Sequence, residues 1–219
     1  MSDLSNWKAP PFPERKVLQG RYCRLEPLDV GRHGGDIAEA FAGADSVWTY
    51  LPVPQPKNRG AYEALLASMV QNKDICPFAA IVDGKAMGHM WMMEIRPAHG
   101  VFEVGWITYA PSLQRTRAAT EAVYLIGDYG FGLGYRRYEW KCNNRNEPSK
   151  RAALRFGFKY EGLFRQHQVV KGENRDTAWY SIIDSEWPAR KRAFERWLSS
   201  ENFDAQGRQK VSLSSLNAG

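Results

Sequence analysis

The sequence predicts an α+β fold with a partly antiparallel sheet. The hydrophobic period changes along the chain between helical and strand-like spacing, which gives the order β-α-α-β-β-β-α-β-α-β-β. Strands joined by short turns favour antiparallel pairing, whereas the strand-helix-strand order in the second half favours a crossover connection. A length of 219 residues with 43% hydrophobic residues is enough for a core that needs no disulfide or metal.

Composition excludes several classes of protein. No stretch approaches the roughly 20 apolar residues of a membrane helix, and the start, MSDLSNWKAPPFPERK, lacks the apolar region of a signal peptide. The three cysteines form no CxxC motif and the four histidines form no HExxH motif. We therefore expect no metal site, no disulfide framework and no membrane partner, in a reducing cytoplasm.

The first half begins with a proline-rich polar arm, which we expect to be extended over residues 1–16. A first strand is predicted over 21–28. Residues 29–43 have apolar side chains at helical spacing between a favourable N-cap aspartate and a glycine. Three prolines make residues 44–58 a loop, and a second amphipathic helix is predicted over 61–72.

Strands then dominate the middle of the chain. The segments 77–82 and 86–95 flank Asp83-Gly84, a strong signal for a hairpin turn. Residues 101–109 continue as a third strand. A helix over 117–133 follows, because Gly134 is a natural C′ residue.

The remaining elements complete the crossover and a second hairpin. We predict a strand over 136–142 and a helix over 148–156, with proline in its first turn, where a missing N–H costs least. The strands 158–170 and 176–183 are joined by a turn at 171–174. A helix over 189–198 and a loose polar tail end the chain. We therefore divide the chain into an arm (1–16), one domain (17–187), and a C-terminal helix with its tail (188–219).

The net charge of +6 is concentrated in one segment. Residues 136–176 contain eleven basic and five acidic side chains, and the remainder is balanced. Such an excess favours an anionic partner, which includes a phosphorylated cofactor, an acidic substrate or a nucleic acid, although a solvated basic face would look the same.

Two segments carry the pattern of a binding site. After the strand that ends at Tyr109, a loop opens a helix whose first turn holds small residues, so that its N–H groups and dipole favour a phosphate. An ordinary surface loop is the alternative. Further on, Asn146 and Ser149 flank a helix start, Gly157-Phe158 ends that helix and Glu161-Gly162 follows, although Asn146 is also a favourable N-cap.

Together these segments resemble the GCN5-related N-acetyltransferases (GNAT), in particular the RimJ/RimL branch, over roughly residues 17–184. The resemblance implies the GNAT fold, an α+β structure with a mixed, mostly antiparallel sheet, helices on both faces and a splayed central strand pair. It also implies transfer of an acetyl group from acetyl-CoA to a primary amine by direct attack. The acceptor would be a protein N-terminus or a small-molecule amine.

The resemblance also implies site residues. The family's phosphate loop, Q/R-x-x-G-x-G/A, falls on residues 114–119, where Arg117 stands in place of the middle glycine. The strand end at 107–109 would run along the pantetheine, and the family's N-x-x-S faces the thiol. The implied acetyl-CoA residues are Ile107, Thr108, Tyr109, Gln114, Arg115, Thr116, Arg117, Ala118, Ala119, Asn146 and Ser149.

Ser149 matches the family serine that protonates the leaving thiolate, with a helix-capping role as the alternative. The family's glutamate position holds Gln168, which cannot act as a base. Glu103 and His167 are therefore the candidate bases, with Glu103 preferred, and a water chain is an alternative. His167 neighbours Gln168 on a strand, where alternation would turn one of the two away. Trp48 and Tyr50 lie in the loop expected to line the acceptor site.

Two other functions stay open at this point. The departures at Arg117 and Gln168 fit a non-catalytic acetyl-CoA sensor. A ribosome- or RNA-associated protein is disfavoured, because the basic residues are spread over different elements and form no RNA-binding motif. The sequence leaves the oligomeric state open, a homodimer included.

Overall fold

The computed structural model describes residues 3–218, which form one eight-stranded sheet with flanking helices. The strands are β1 (Leu18–Gln19), β2 (Arg24–Pro27), β3 (Cys76–Val82), β4 (Lys85–Arg96), β5 (Val101–Tyr109), β6 (Arg137–Asn143), β7 (Lys159–Val170) and β8 (Glu173–Ile183). The helices are α1 (Val30–Ala40), α2 (Arg59–Val70), α3 (Arg117–Gly132), α4 (Glu147–Arg155), α5 (Trp187–Leu198) and α6 (Leu213–Ala218).

Polar side chains determine where the helices begin. Asp29 caps α1 by accepting the N–H of Arg32, as the sequence predicts, and Asn58 caps α2 in the same way. Thr116 and Asn146 cap α3 and α4. Each cap satisfies one N–H that the helix itself leaves unpaired.

The sheet has the order β1-β2-β3-β4-β5-β6-β8-β7, and every pair of neighbours is antiparallel except β5 and β6. Both predicted hairpin turns are present. In the first turn, Asp83 and Gly84 have φ values of 48° and 82°; in the second, Lys171 and Gly172 have φ values of 53° and 80°. Such left-handed pairs suit tight two-residue turns.

Helices cover both faces of the sheet. Alternate residues of β3 enter different hydrophobic clusters, because successive side chains of a strand point to opposite faces. Phe78 and Ala80 belong to the cluster beneath α3 and α5, whereas Ala79 and Ile81 belong to the cluster beneath α1 and α2.

The two central strands separate after a short contact. β5 pairs with β6 only from Val101–Glu103 to Arg137–Glu139, and the remaining residues of the two strands diverge. This divergence is the predicted splay, and it opens a cleft at the middle of the sheet.

The two termini pack against this sheet. Residues 3–16 contain no helix or strand, as predicted, and Arg15 donates to the carbonyls of Val70, Asn72 and Ile75. The expectation of a loose tail is wrong. Leu213 is fully buried and the Asn202 side chain bonds to the backbone of residues 197 and 211, so a few well-placed side chains anchor a mainly polar segment.

Within residues 3–218, no helix is both long and apolar enough to cross a membrane. The thiols of Cys23, Cys76 and Cys142 are free and buried.

Candidate active site

A cavity of about 1430 Å³ occupies the cleft between β5 and β6. One end lies at the start of α3 and is bounded by the C-terminal tail; we call it the α3 end. The other lies beneath the β7–β8 hairpin and the loop of residues 46–52; we call it the hairpin end. The predicted cofactor and catalytic residues therefore fall along one continuous surface.

The loop before α3 tolerates the arginine that replaces the family glycine. The left-handed backbone falls on Arg115, with φ of 62°, while Arg117 lies in the first turn of α3. Arg117 therefore needs no unusual φ. Its guanidinium lies 3.9 Å from the centre of the Phe203 ring and 5.5 Å from that of Tyr22, so it contacts the tail.

The tail forms a wall of the α3 end, which the sequence did not predict. Phe203, Gly207 and Gln209 line the cavity, together with Trp197. The Trp197 indole donates to the Gln209 side chain at 2.7 Å and lies 4.7 Å beneath the guanidinium of Arg155.

The structure places most predicted cofactor residues on the cavity wall, but not all. Thr108 and Ala118 are buried away from it: the Thr108 hydroxyl donates to the Trp106 carbonyl, and Ala118 packs in the core. Neither side chain lines the cavity, so of these two predicted cofactor residues only the backbone could contact acetyl-CoA. Lining the cavity are Ile107, Tyr109, Gln114, Arg115, Thr116, Arg117, Ala119, Asn146 and Ser149.

A β-bulge shapes β5 where it leaves β6. The register with β4 shifts between His89 and Trp91, and Trp106 has φ of 49°. The bulge stacks Trp106 on Trp91, with ring centres 4.6 Å apart. Beyond Glu103 the β6 side of β5 has no partner strand, so backbone N–H groups on that edge face the cleft, where an oxyanion could bind.

Glu103 lies at the point of divergence. Its side chain is buried, and Oε2 is 2.8 Å from Nζ of Lys141. Burial raises the pKa of Glu103 to about 7 despite the opposing charge of Lys141. A carboxyl group in this state exchanges a proton readily near neutral pH.

The neighbouring Glu139 has the opposite environment. It stands in register with Glu103 and receives ion pairs from Arg96, Arg137 and Lys141 at 2.8, 2.7 and 3.2 Å. Burial opposes ionisation, but these cations together lower the pKa of Glu139. Two adjacent carboxylates thus differ in role: Glu139 stays ionised, and Glu103 titrates.

Ser149 combines both predicted roles. Its backbone N–H donates to the Asn146 side chain, so it lies in a capped first turn. Its hydroxyl oxygen accepts the indole N–H of Trp140 at 3.0 Å and lines the cavity. Because that oxygen already accepts a hydrogen bond, the hydroxyl's own proton is available to a neighbour, either the Cys142 side chain or a group in the cleft.

His167 and Gln168 both line the hairpin end, despite being neighbours on β7. The register with β8 shifts between Phe164 and Gln168, and Gln166 has φ of 50°, so a bulge overrides the expected alternation. His167 is exposed, and its Nδ1 lies 3.0 Å from the Thr177 hydroxyl.

Only one of the two predicted acceptor residues reaches the cavity. Tyr50 lines it, and its hydroxyl donates to the Arg145 carbonyl at 2.9 Å. The expectation for Trp48 is wrong, because its ring is 4% exposed and packs edge-on against Tyr62 in the α1–α2 cluster.

Three further residues line the hairpin end and were not predicted from the sequence to do so: Lys141, Arg175 and Trp179. Nζ of Lys141 lies 4.1 Å from the Trp179 ring. Lys141 and Arg175 belong to the basic segment of residues 136–176, which was therefore the signal that could have located them.

Comparisons with known proteins agree with this geometry. The family model described as "Acetyltransferase (GNAT) domain" matches residues 24–159. A solved GCN5-related N-acetyltransferase from Brucella melitensis is 48% identical, with 99% of this chain and 100% of that chain covered and a TM-score of 0.96. A GNAT-family structure from Chromobacterium violaceum is 39% identical over 86% of this chain and 96% of its own, with a TM-score of 0.82.

Curated relatives match over shorter stretches. The uncharacterized N-acetyltransferase YnaD of Bacillus subtilis is 30% identical over 102 residues, which are 46% of this chain and 59% of YnaD. The chain spans between 39% and 59% of the length of the three curated relatives that it matches.

The RimL acetyltransferase structure is 18% identical, covering 77% of this chain and 94% of its own, with a TM-score of 0.66. At this identity the likeness shows a shared fold and does not extend to the RimJ/RimL branch. The near-complete structural match and the splayed strand pair confirm the GNAT fold. Because the family model matches more than half of this chain, the chain belongs to the GNAT acetyltransferase family.

Proposed function

We propose that this chain transfers an acetyl group from acetyl-CoA to a primary amine by direct attack, with Glu103 as the general base. The observation that carries this proposal is the buried Glu103 carboxyl at the strand divergence, where its pKa is raised to about 7. A chain that only sensed acetyl-CoA would not need a proton acceptor at this position.

The α3 end fits the donor. The N–H groups of Arg117 and Ala118 lie in the first turn of α3, where a helix offers no internal acceptor, and the helix dipole favours a phosphate there. Arg115 adds a positive charge on the cavity wall. The pantetheine arm would lie along Ile107 and Tyr109 toward Ser149. Acetyl-CoA supplies the thioester that the amine attacks.

The remaining residues manage protons. An ammonium group is not nucleophilic, so it must lose a proton, which Glu103 accepts. Nζ of Lys141 stays close and stabilises the carboxylate before that transfer. Backbone N–H groups of β5 stabilise the tetrahedral oxyanion. When the carbon–sulfur bond breaks, Ser149 donates a proton to the thiolate.

Glu103→Gln tests this assignment. In the unaltered protein we expect kcat/KM to rise with pH and to level off above about 7, because Glu103 must be ionised to act. The variant should lose roughly 100-fold or more in kcat and should lose this inflection. A variant with the normal rate and the normal pH profile would overturn the assignment.

Glu139→Gln is the matched control, since it makes the same change on the adjacent strand in register. It should lose stability, because three ion pairs are broken. It should keep an inflection but move it to lower pH, because the charge of Glu139 helps to raise the pKa of Glu103. Loss of the inflection in this variant, with the inflection kept in Glu103→Gln, would exchange the two roles.

The stability of Glu103→Gln distinguishes lost catalysis from lost folding. The folded-state pKa of Glu103 lies above its ordinary 4.5, so its contribution to stability is greatest at low pH and is lost as pH rises through about 7. The ionised carboxylate then costs roughly 3 kcal/mol at 1.36 kcal/mol per pKa unit. Glu103→Gln should therefore unfold at a higher temperature than the unaltered protein at pH 8, and less so at pH 5.

A further inference from the structure

We infer that the acceptor is a small amine that also carries an acid group, such as a free amino acid, and that Arg175 binds that acid group. This inference rests on the proposed acetyl transfer and names the class of its acceptor. It is carried by a cation of the hairpin end, Arg175, whose Nε has no hydrogen-bond partner within residues 3–218.

Arg175 is directed into the cleft. Arg175, Thr177 and Trp179 alternate along β8, and all three line the cavity. Nε of Arg175 is buried and has no hydrogen-bond partner among residues 3–218. The other cation of this end, Lys141, is already paired with Glu103 and Glu139.

Arg175 is half-buried, and its buried Nε is costly, since that N–H has left water without gaining an acceptor. Burial lowers the pKa of Arg175, and the nearby charge of Glu103 opposes that change, but an arginine keeps its charge at neutral pH. A carboxylate would satisfy it with two parallel hydrogen bonds. Arg175 therefore offers a hydrogen-bond donor on the cavity wall that a bound anion could satisfy.

The charges of the hairpin end match a zwitterion. Glu103 lies on β5 and Arg175 on β8, with Lys141 of β6 between these strands in the sheet. An acceptor whose amine meets Glu103 and whose acid group meets Arg175 places both charges against opposite ones. Trp106 and Trp179 provide aromatic walls for the rest of such a molecule.

The roof of the hairpin end favours a small acceptor. Lys171 donates to the Trp48 carbonyl at 2.7 Å, which ties the loop of residues 46–52 to the β7–β8 turn. Tyr50 ties the same loop to the segment between β6 and α4 through the Arg145 carbonyl. These two contacts hold the roof in place, which favours an acceptor small enough to fit beneath it.

The experiment compares paired acceptors with the full-length chain and acetyl-CoA. Each common amino acid is supplied as the free acid and as its amide, and short peptides represent protein N-termini. The best free acid should exceed its own amide at least tenfold in kcat/KM. Arg175→Gln should lower kcat/KM for the free acid at least tenfold, in keeping with the loss of a charged hydrogen bond. It should leave kcat/KM for the amide within about twofold of the unaltered protein.

Arg165→Gln is the matched control. It makes the same change on β7 of the same hairpin, at an exposed residue that does not line the cavity, and should leave the ratio of acid to amide activity unchanged. Arg175→Lys keeps the charge but not the two-pronged donor, and should recover part of the preference. Thermal melting confirms that each variant is folded.

The outcomes separate the two proposals. If amides or peptides are acetylated as efficiently as free acids, the inference about the acceptor is overturned and the acetyl transfer stands. The same conclusion follows if Arg175→Gln lowers the activities on acid and amide equally. If no amine of any kind is acetylated, the proposed function itself fails, and the inference fails with it.

Discussion

The two ends of the cleft use different parts of the chain. At the α3 end the groups available to a ligand belong mainly to the backbone: the capped start of α3 and the unpaired edge of β5, beside the small side chain of Ala119. At the hairpin end they are side chains, with Glu103, Lys141 and Arg175 beside aromatic rings. A fold that preserves its backbone therefore preserves the first end, while substitutions can remake the second.

This difference separates what the family shares from what this chain adds. Backbone N–H groups at a helix start can bind phosphate without a glycine beside them, so the proposed cofactor site is compatible with Arg117 in place of the loop glycine. Recognition of an acceptor depends on particular side chains grafted onto the fold. The tail is an exception, because Phe203 brings a side chain of this chain to the shared end.

The sharpest way to break this comparison is Ala119→Glu. Ala119 lines the α3 end and is 7% exposed, so a longer acidic side chain would enter the space proposed for the phosphates. Two like charges about 4 Å apart at an effective dielectric constant of 20 repel by about 4 kcal/mol, which corresponds to roughly a thousandfold in affinity. Calorimetric titration with acetyl-CoA measures the change.

Ala119→Ser is the control for this variant, since it adds one atom and no charge. It should bind acetyl-CoA within a few-fold of the unaltered protein. Unchanged affinity in a folded Ala119→Glu protein would show that the cofactor phosphates do not lie at the start of α3.

Local signals explain how much was predictable from the sequence. The caps at Asp29 and Asn146 and the turn at Asp83-Gly84 depend on neighbouring residues only, so residue type and spacing were sufficient to locate them. The phosphate loop and Ser149 followed from family resemblance, and both line the cavity.

Features that depend on distant contacts were not predictable. The bulge near Gln166 turns both His167 and Gln168 to the cleft, and no residue pattern marks it. Trp48 lies in a loop, yet its ring fills a space between α1 and α2. The pairing of Glu103 with Lys141 joins strands that are separated by a helix in the sequence. The tail has too few apolar residues to show a period, although Leu213 anchors it.

A second prediction concerns Ser149, which lies between the two ends. Ser149→Ala should lower kcat by about 100-fold, at the lower end of the range for a lost proton-transfer group, while the affinity for acetyl-CoA stays nearly constant. The indole N–H of Trp140 also loses its acceptor, which should lower stability by about 1 kcal/mol. Single-turnover kinetics with a calorimetric titration separate these effects.

Ser149→Thr keeps the hydroxyl and should recover most of the lost turnover. If Ser149→Ala lowers the melting temperature but leaves kcat unchanged, the hydroxyl serves only as the acceptor for Trp140 and has no part in the reaction.

The smallest effect is expected at Phe203, the tail residue that brings a side chain to the α3 end. Phe203→Ala removes the ring beneath Arg117, and a cation–π contact of this kind is worth about 1 kcal/mol, or roughly fivefold in an equilibrium constant. We expect the Kd for acetyl-CoA to rise by about that factor, because Arg117 and the wall of the α3 end lose their support. The KM for the acceptor should not change, since Phe203 lies at the opposite end of the cavity from Arg175.

Phe203→Tyr retains the ring and should retain the affinity. If Phe203→Ala instead raises the acceptor KM, the two ends are coupled through the tail, and the division between a backbone-built donor site and a side-chain-built acceptor site does not hold for this chain.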